Sequence, residues 1–128
     1  MGPLILVVDD TKDTRELFVE YLRLAGFAAE QAESGMEALQ KAAALRPAAI
    51  VMDLEMPDMD GWEATRRLKA DAGTRNIPVV ALSAHVMEGA RKRATEAGCA
   101  GFLSKPCYPS QVSDELHRVL AATGPSPS

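Results

Sequence analysis

At 128 residues, with 47% hydrophobic and 25% charged side chains, the chain has the make-up of one globular domain with enough apolar material for a core. A formal net charge of −4, basic residues scattered among acids and only 5% aromatics exclude a phosphate-backbone surface and a stacking platform, so no nucleic-acid partner is expected. The apolar runs fall far short of the ~20 residues that span a bilayer, and no basic leader region precedes the first, so a cytoplasmic protein without a membrane partner is expected.

The first predicted strand, residues 4–8, is a continuous apolar run, the pattern of a strand covered on both faces. A helix is predicted over 14–25, with Leu17, Phe18, Tyr21, Leu22 and Ala25 as its buried stripe and Gly26 as its C-terminal stop. Residues 27–32 form a weaker strand candidate, set by spacing more than by β-branching. Ser34 followed by Glu37 forms a capping box for a helix carrying Ala38, Leu39 and Ala42 and ending before Pro47. A second apolar run at 48–52, a helix at 61–72, a third run at 78–82 and a helix at 88–97 closed by Gly98 follow in turn. The last pair is a short strand at 100–103 and a helix after Pro109-Ser110 that buries Val112, Leu116, Val119 and Leu120. The Pro-rich end, 123–128, reads as a flexible tail after a domain of residues 1–122.

Five strands alternating with five helices predict an α/β fold, a flavodoxin-like (βα)5 doubly wound parallel sheet with strand order 2-1-3-4-5. In such sheets the binding crevice lies beyond the carboxyl ends of the strands. Asp9 and Asp10 follow the first strand there, and Asp53 follows its sheet neighbour. Two carboxylates ~4 Å apart repel by roughly 4 kcal/mol at an effective dielectric near 20, so three together call for a cation. Ligands that are all oxygen favour a hard ion, Mg2+ with Mn2+ as an option. Ser83 and Lys105 follow the fourth and fifth strands, adding a hydroxyl and an ammonium that suit a phosphate group. Cys99 and Cys107 lack metal-ligand spacing and read as reduced thiols.

These residues stand in four motifs: Val7-Val8-Asp9-Asp10, Met52-Asp53-Leu54-Glu55-Met56-Pro57-Asp58-Met59-Asp60-Gly61, Ala81-Leu82-Ser83-Ala84, and Gly101-Phe102-Leu103-Ser104-Lys105-Pro106. From Leu4 to about Ala122 the chain resembles the receiver domain of two-component response regulators, and among them stand-alone receivers of chemotaxis and cell-cycle control. The resemblance implies that Asp53 is a phosphoacceptor charged by a phosphohistidine of a histidine kinase or phosphotransfer protein. It implies a metal held by Asp10 directly, by Asp9 mainly through water, by Asp53 and by the backbone carbonyl of Glu55. Lys105 would pair with a phosphoryl oxygen, Ser83 and Phe102 would form the switch, and the Lys105-Pro106 bond would be cis. Glu55 and His85 would modify the lifetime of the acyl phosphate. A downstream protein would dock on the face of the fourth helix, fifth strand and fifth helix, including Ala90, Arg91, Phe102 and Ser104. His117 reads as a surface residue, and Met56 and Met59 as gap-fillers or partner contacts.

Three rivals are weaker. A phosphohydrolase of the haloacid-dehalogenase type places its acid/base Asp two positions after the nucleophile, where this chain has Leu54-Glu55, and needs room for a cap domain. A nucleotide-binding module needs a Gly-rich loop where Asp9 and Asp10 stand. A receiver-like interaction module without phosphate chemistry would not require all five key side chains. The early Met1 and short tail lead us to expect a complete single-domain regulator, regulatory and not an enzyme in the usual sense.

Overall fold

The computed structural model describes residues 2–84 and 89–123. In chain order it contains β1 (Leu4–Val8), α1 (Lys12–Leu24), β2 (Ala28–Ala32), α2 (Gly35–Leu45), β3 (Ala49–Asp53), α3 (Gly61–Ala70), β4 (Val79–Ser83), α4 (Ala90–Glu96), β5 (Gly101–Ser104) and α5 (Pro109–Thr123). The strands form one parallel sheet in the order β2-β1-β3-β4-β5. This is the flavodoxin-like arrangement that the alternating pattern predicts.

Alternate residues of each central strand point to opposite faces, so an all-apolar strand feeds two cores at once. Ile5, Val7, Ala49, Val51, Val80 and Leu82 meet Phe18, Val19 and Leu22 of α1 and Val112, Leu116 and Val119 of α5. Leu6, Val8, Ile50, Met52, Val79 and Ala81 meet Ala38 and Ala42 of α2, Ala64 and Leu68 of α3 and Ala94 of α4. Two helices therefore cover one face and three the other, and the strand ends stay free for polar groups.

Local chemistry sets the helix limits. Ser34 accepts the Glu37 amide at 3.1 Å while the Glu37 side chain accepts the Glu33 amide, the predicted capping box with the return bond one residue earlier. Asp60 accepts the Glu63 amide at 2.9 Å and starts α3 in the same way. Gly98, at φ 103, occupies a left-handed position that suits a residue without Cβ just after α4.

Several expectations need correction. The buried stripe of α1 is turned from the predicted one: Leu17 is 56% exposed and Ala25 is exposed, while Arg15, Phe18, Val19 and Leu22 are inside. The stripe follows i, i+3, i+4, i+7 from Arg15, whose long stem packs where an apolar residue is normally sought. Helix α1 starts at Lys12 and α3 stops at Ala70. Helix α4 is shorter than predicted, and residue 88 of its predicted start lies outside the described residues. His117 is exposed with its ring against Phe27, Met56 is buried, and Met59 packs on the core. Thr123, the first position of the expected tail, ends α5 instead, and the other five lie outside the described residues.

Candidate functional site

Register brings the polar residues together. Val8 pairs with Met52, Asp53 with Leu82 and Ser83 with Ser104, so the residues at or just past four strand ends share one edge. Asp9, Asp10 and Asp53 each offer a carboxylate oxygen within 4.8 Å of the others. Asp9 and Asp53 are 1% and 3% exposed, whereas Asp10 is exposed. From the end of β5, Lys105 places Nζ 3.2 Å from Asp9 Oδ2 and 3.4 Å from Asp53 Oδ1. The Lys105 amide donates to the Ser83 carbonyl, and the Lys105-Pro106 peptide is cis.

Backbone amides hold the two buried carboxylates. Asp9 Oδ1 accepts the Thr11 amide at 2.8 Å, and Asp53 Oδ1 accepts the Glu55 amide at 3.1 Å. Burial lifts the Asp53 pKa from 3.8 to about 6; Lys105 opposes the rise and Asp9 adds to it. Burial pulls the Lys105 ammonium downward, but Asp53 and Asp9 outweigh it and its pKa stands above the usual lysine value. Three carboxylates against one ammonium leave a surplus of two negative charges, the charge of one divalent cation. Oxygen donors alone suit a hard ion.

Ser83 is 2% exposed, and its hydroxyl donates to Glu55 Oε2 at 2.7 Å. Phe102 lies opposite Ala81, is 5% exposed and has the Arg91 guanidinium 5.5 Å from its ring centre. Arg91 and Ser104 are exposed on the same side, and Ala90 is half-buried against the core. His85 lies outside the described residues.

Three supporting contacts are not evident in the motifs. Arg15 is buried and donates Nη1 to the Asp9 carbonyl at 2.8 Å and Nε to Gln31 Oε1 at 2.7 Å, tying the strand end that carries Asp9 to α1 and β2. Replacing Arg15 by Met should cost about 1 kcal/mol, read as a shift in urea midpoint, because the stem is kept and only buried hydrogen bonds are lost. Gly61 lets α3 approach β3: a Cβ there would lie 2.4 Å from the Asp53 carbonyl oxygen and 2.7 Å from Leu54 Cα. Gly61 closes the second motif, but nothing in the motif says which backbone it must approach. The third is the Glu55 side chain on Ser83, two residues past Asp53 in sequence but reaching the neighbouring strand.

A buried carboxylate between an ammonium and two other carboxylates, at the open edge of a parallel sheet, can receive an anionic group only if positive charge is supplied. The arrangement has the chemistry to hold a divalent ion and, with Lys105, an anionic group beside it. The family described as the response regulator receiver domain matches residues 5–117. The polar-differentiation response regulator DivK of Brucella anthropi is 35% identical over 106 residues, 83% of this chain and 86% of DivK. Among solved structures, the Vibrio cholerae chemotaxis protein CheY4 superposes with a TM-score of 0.87 at 30% identity, covering 94% of this chain and 100% of CheY4. The receiver domain of the Pseudomonas aeruginosa sensor histidine kinase PA1611, with magnesium coordinated in its active-site cleft, has a TM-score of 0.85 at 30% identity, covering 94% of this chain and 99% of its own. The chain belongs to the response regulator receiver domain family, the regulatory receivers of two-component signalling. Among the described residues no helix is long and apolar enough to cross a membrane.

Proposed function

We propose that this chain is a phosphoacceptor response regulator that takes a phosphoryl group from a phosphohistidine of a histidine kinase or phosphotransfer protein onto Asp53. The observation that carries the reading is the Asp53 carboxylate itself: nearly buried, 3.4 Å from the Lys105 ammonium and clustered with Asp9 and Asp10. The receiver runs as one domain to the end of α5.

Asp53 attacks phosphorus in line, the P–O bond forms as the P–N bond breaks, and the electron pair returns to the donor imidazole. Lys105 offers an ammonium to the phosphoryl oxygens and keeps its donors aimed by pairing with Asp9. Asp9, Asp10 and Asp53, with the Glu55 backbone carbonyl, are the residues to hold Mg2+ or Mn2+, which when bound neutralises charge on the transferred group. Ser83 and Phe102 are the switch, passing the event to the face of α4, β5 and α5 where a downstream protein docks through Arg91 and Ser104. Glu55 and His85 tune the lifetime of the acyl phosphate. A cavity of about 570 Å³ lined by Thr14, Leu17, Phe18, Ala84, Lys105 and Cys107 opens beside the site, and its exposed Leu17 suits an apolar contact from the donor. A net charge of −4 suits protein partners over nucleic acid, and the reading places the chain in the cytoplasm.

Incubation with Mg2+ and acetyl phosphate or phosphoramidate, followed by intact-mass measurement, should give one added phosphoryl group, with none on Asp53→Asn. Beryllofluoride binding covers the case of rapid hydrolysis. A wild-type protein that neither gains mass nor binds beryllofluoride with Mg2+ would sink the proposal.

A further inference from the structure

Glu55 does more than offer its backbone carbonyl. One carboxylate oxygen accepts from Ser83 Oγ at 2.7 Å and the other accepts the Ala84 amide at 2.7 Å. Its own amide donates to Asp53 Oδ1 at 3.1 Å. Glu55 therefore bridges the end of β3, where the reacting carboxylate stands, to the end of β4, where the switch hydroxyl stands.

A serine hydroxyl has one proton to donate. While that proton lies on Glu55, it is not on a phosphoryl oxygen at Asp53. The two acceptors are both anionic, and charge-assisted bonds of this kind are about twice as strong as neutral ones. The Ala84 bond adds to the hold, since it fixes the backbone on the far side of Ser83.

We infer that the Glu55 carboxylate is a latch, a positioning residue that holds Ser83 and the start of the β4 to α4 connection in the resting arrangement and competes with the phosphoryl group for the Ser83 hydroxyl. This rests on the phosphoacceptor reading of Asp53 given above. A ligand shifts a two-state equilibrium only by its differential affinity for the two states, so whatever the latch adds to the resting state is subtracted from activation. The identity of residue 55 then sets how strongly phosphorylation switches this receiver, apart from any effect on hydrolysis.

The test is a beryllofluoride titration at saturating Mg2+, followed by fluorine NMR, on wild type, Glu55→Ala, Glu55→Gln, Ser83→Ala and the Glu55→Ala/Ser83→Ala pair. Glu55→Ala should bind about tenfold more tightly, a difference of about 1.4 kcal/mol. Glu55→Gln, which keeps one acceptor oxygen and the side-chain shape, should fall between it and wild type. Loss of a negative charge alone also favours an anion, so the double variant decides the cause: with Ser83 already absent, the gain should shrink to about twofold or less. In the free protein, Glu55→Ala should speed exchange of the Ala84 amide and leave the Leu54 amide, bonded to the Leu82 carbonyl, unchanged. Equal gains in both backgrounds, or no gain in either, overturn the latch while leaving the phosphoacceptor reading intact. Absence of beryllofluoride binding by wild type overturns both.

Discussion

Lys105→Ala is expected to move metal affinity and anion affinity in opposite directions. In the folded chain the ammonium lies 3.2 Å from Asp9 and 3.4 Å from Asp53, so it occupies the carboxylates proposed to hold a divalent ion. Removing it should raise Mg2+ affinity about threefold to tenfold, because a like charge is gone and two carboxylates are released. For an anion the sign reverses. Unit charges ~3.4 Å apart are worth roughly 5 kcal/mol at an effective dielectric of 20. With the lysine side chain 22% exposed, solvent screening takes a large part of that. A loss of about 2.7 kcal/mol, or a hundredfold in beryllofluoride affinity, is the expected remainder. Calorimetric titration of each ligand reads both constants. If metal and anion affinity fall together, Lys105 supports the fold and not the charge balance of the site.

The division between legible and hidden features follows from the range of each interaction. Continuous apolar strands such as Ile50 to Met52 are readable because burial on both faces removes the need for alternation. The cluster of Asp9, Asp10 and Asp53 is readable because parallel topology puts the residues just past each strand end at one edge, however far apart they lie in sequence. Arg15 is hidden because an amphipathic stripe is defined by apolar side chains, while its guanidinium is satisfied by the Asp9 carbonyl after β1 and by Gln31 on β2. Leu17 lies outside for the converse reason, since hydrophobicity alone does not say which side of a stripe a flanking residue takes. Strand β2, with Glu30 exposed and little β-branching, was readable only from spacing. Glu55 illustrates the third limit. Its position two residues after Asp53 is obvious, but its hold on Ser83 depends on β3 and β4 being neighbours and on a rotamer that no local pattern specifies.

In the absence of metal, Asp53→Asn is expected to stabilise the protein by about 2 to 3 kcal/mol near pH 8. Burial holds the Asp53 pKa at about 6 in the folded chain against an ordinary 3.8. At about 1.4 kcal/mol per pH unit, this sets some 3 kcal/mol against the ionised fold. The sign follows from proton counting. Between pH 3.8 and about 6 the folded protein binds a proton at Asp53 that the unfolded chain has released, so stability falls as pH rises through that window. Above about 7 both states are ionised and the cost is complete. Below about 4 both are protonated and it vanishes. Asparagine keeps an oxygen for the Glu55 amide at nearly the same shape, does not titrate, and gives up only the Lys105 attraction already counted in the shift. Urea unfolding of both proteins in EDTA should therefore give curves that coincide near pH 4 and diverge toward pH 8, with Asp53→Asn the more stable. Mg2+ at pH 8 should then close the gap by stabilising wild type more than the variant, since a cation that binds only the folded state adds RT ln(1 + [L]/Kd) and Asp53 is one of its proposed ligands. A stability difference that is independent of pH would show that Asp53 carries no buried charge, and Mg2+ stabilisation equal in the two proteins would show that it does not hold the metal.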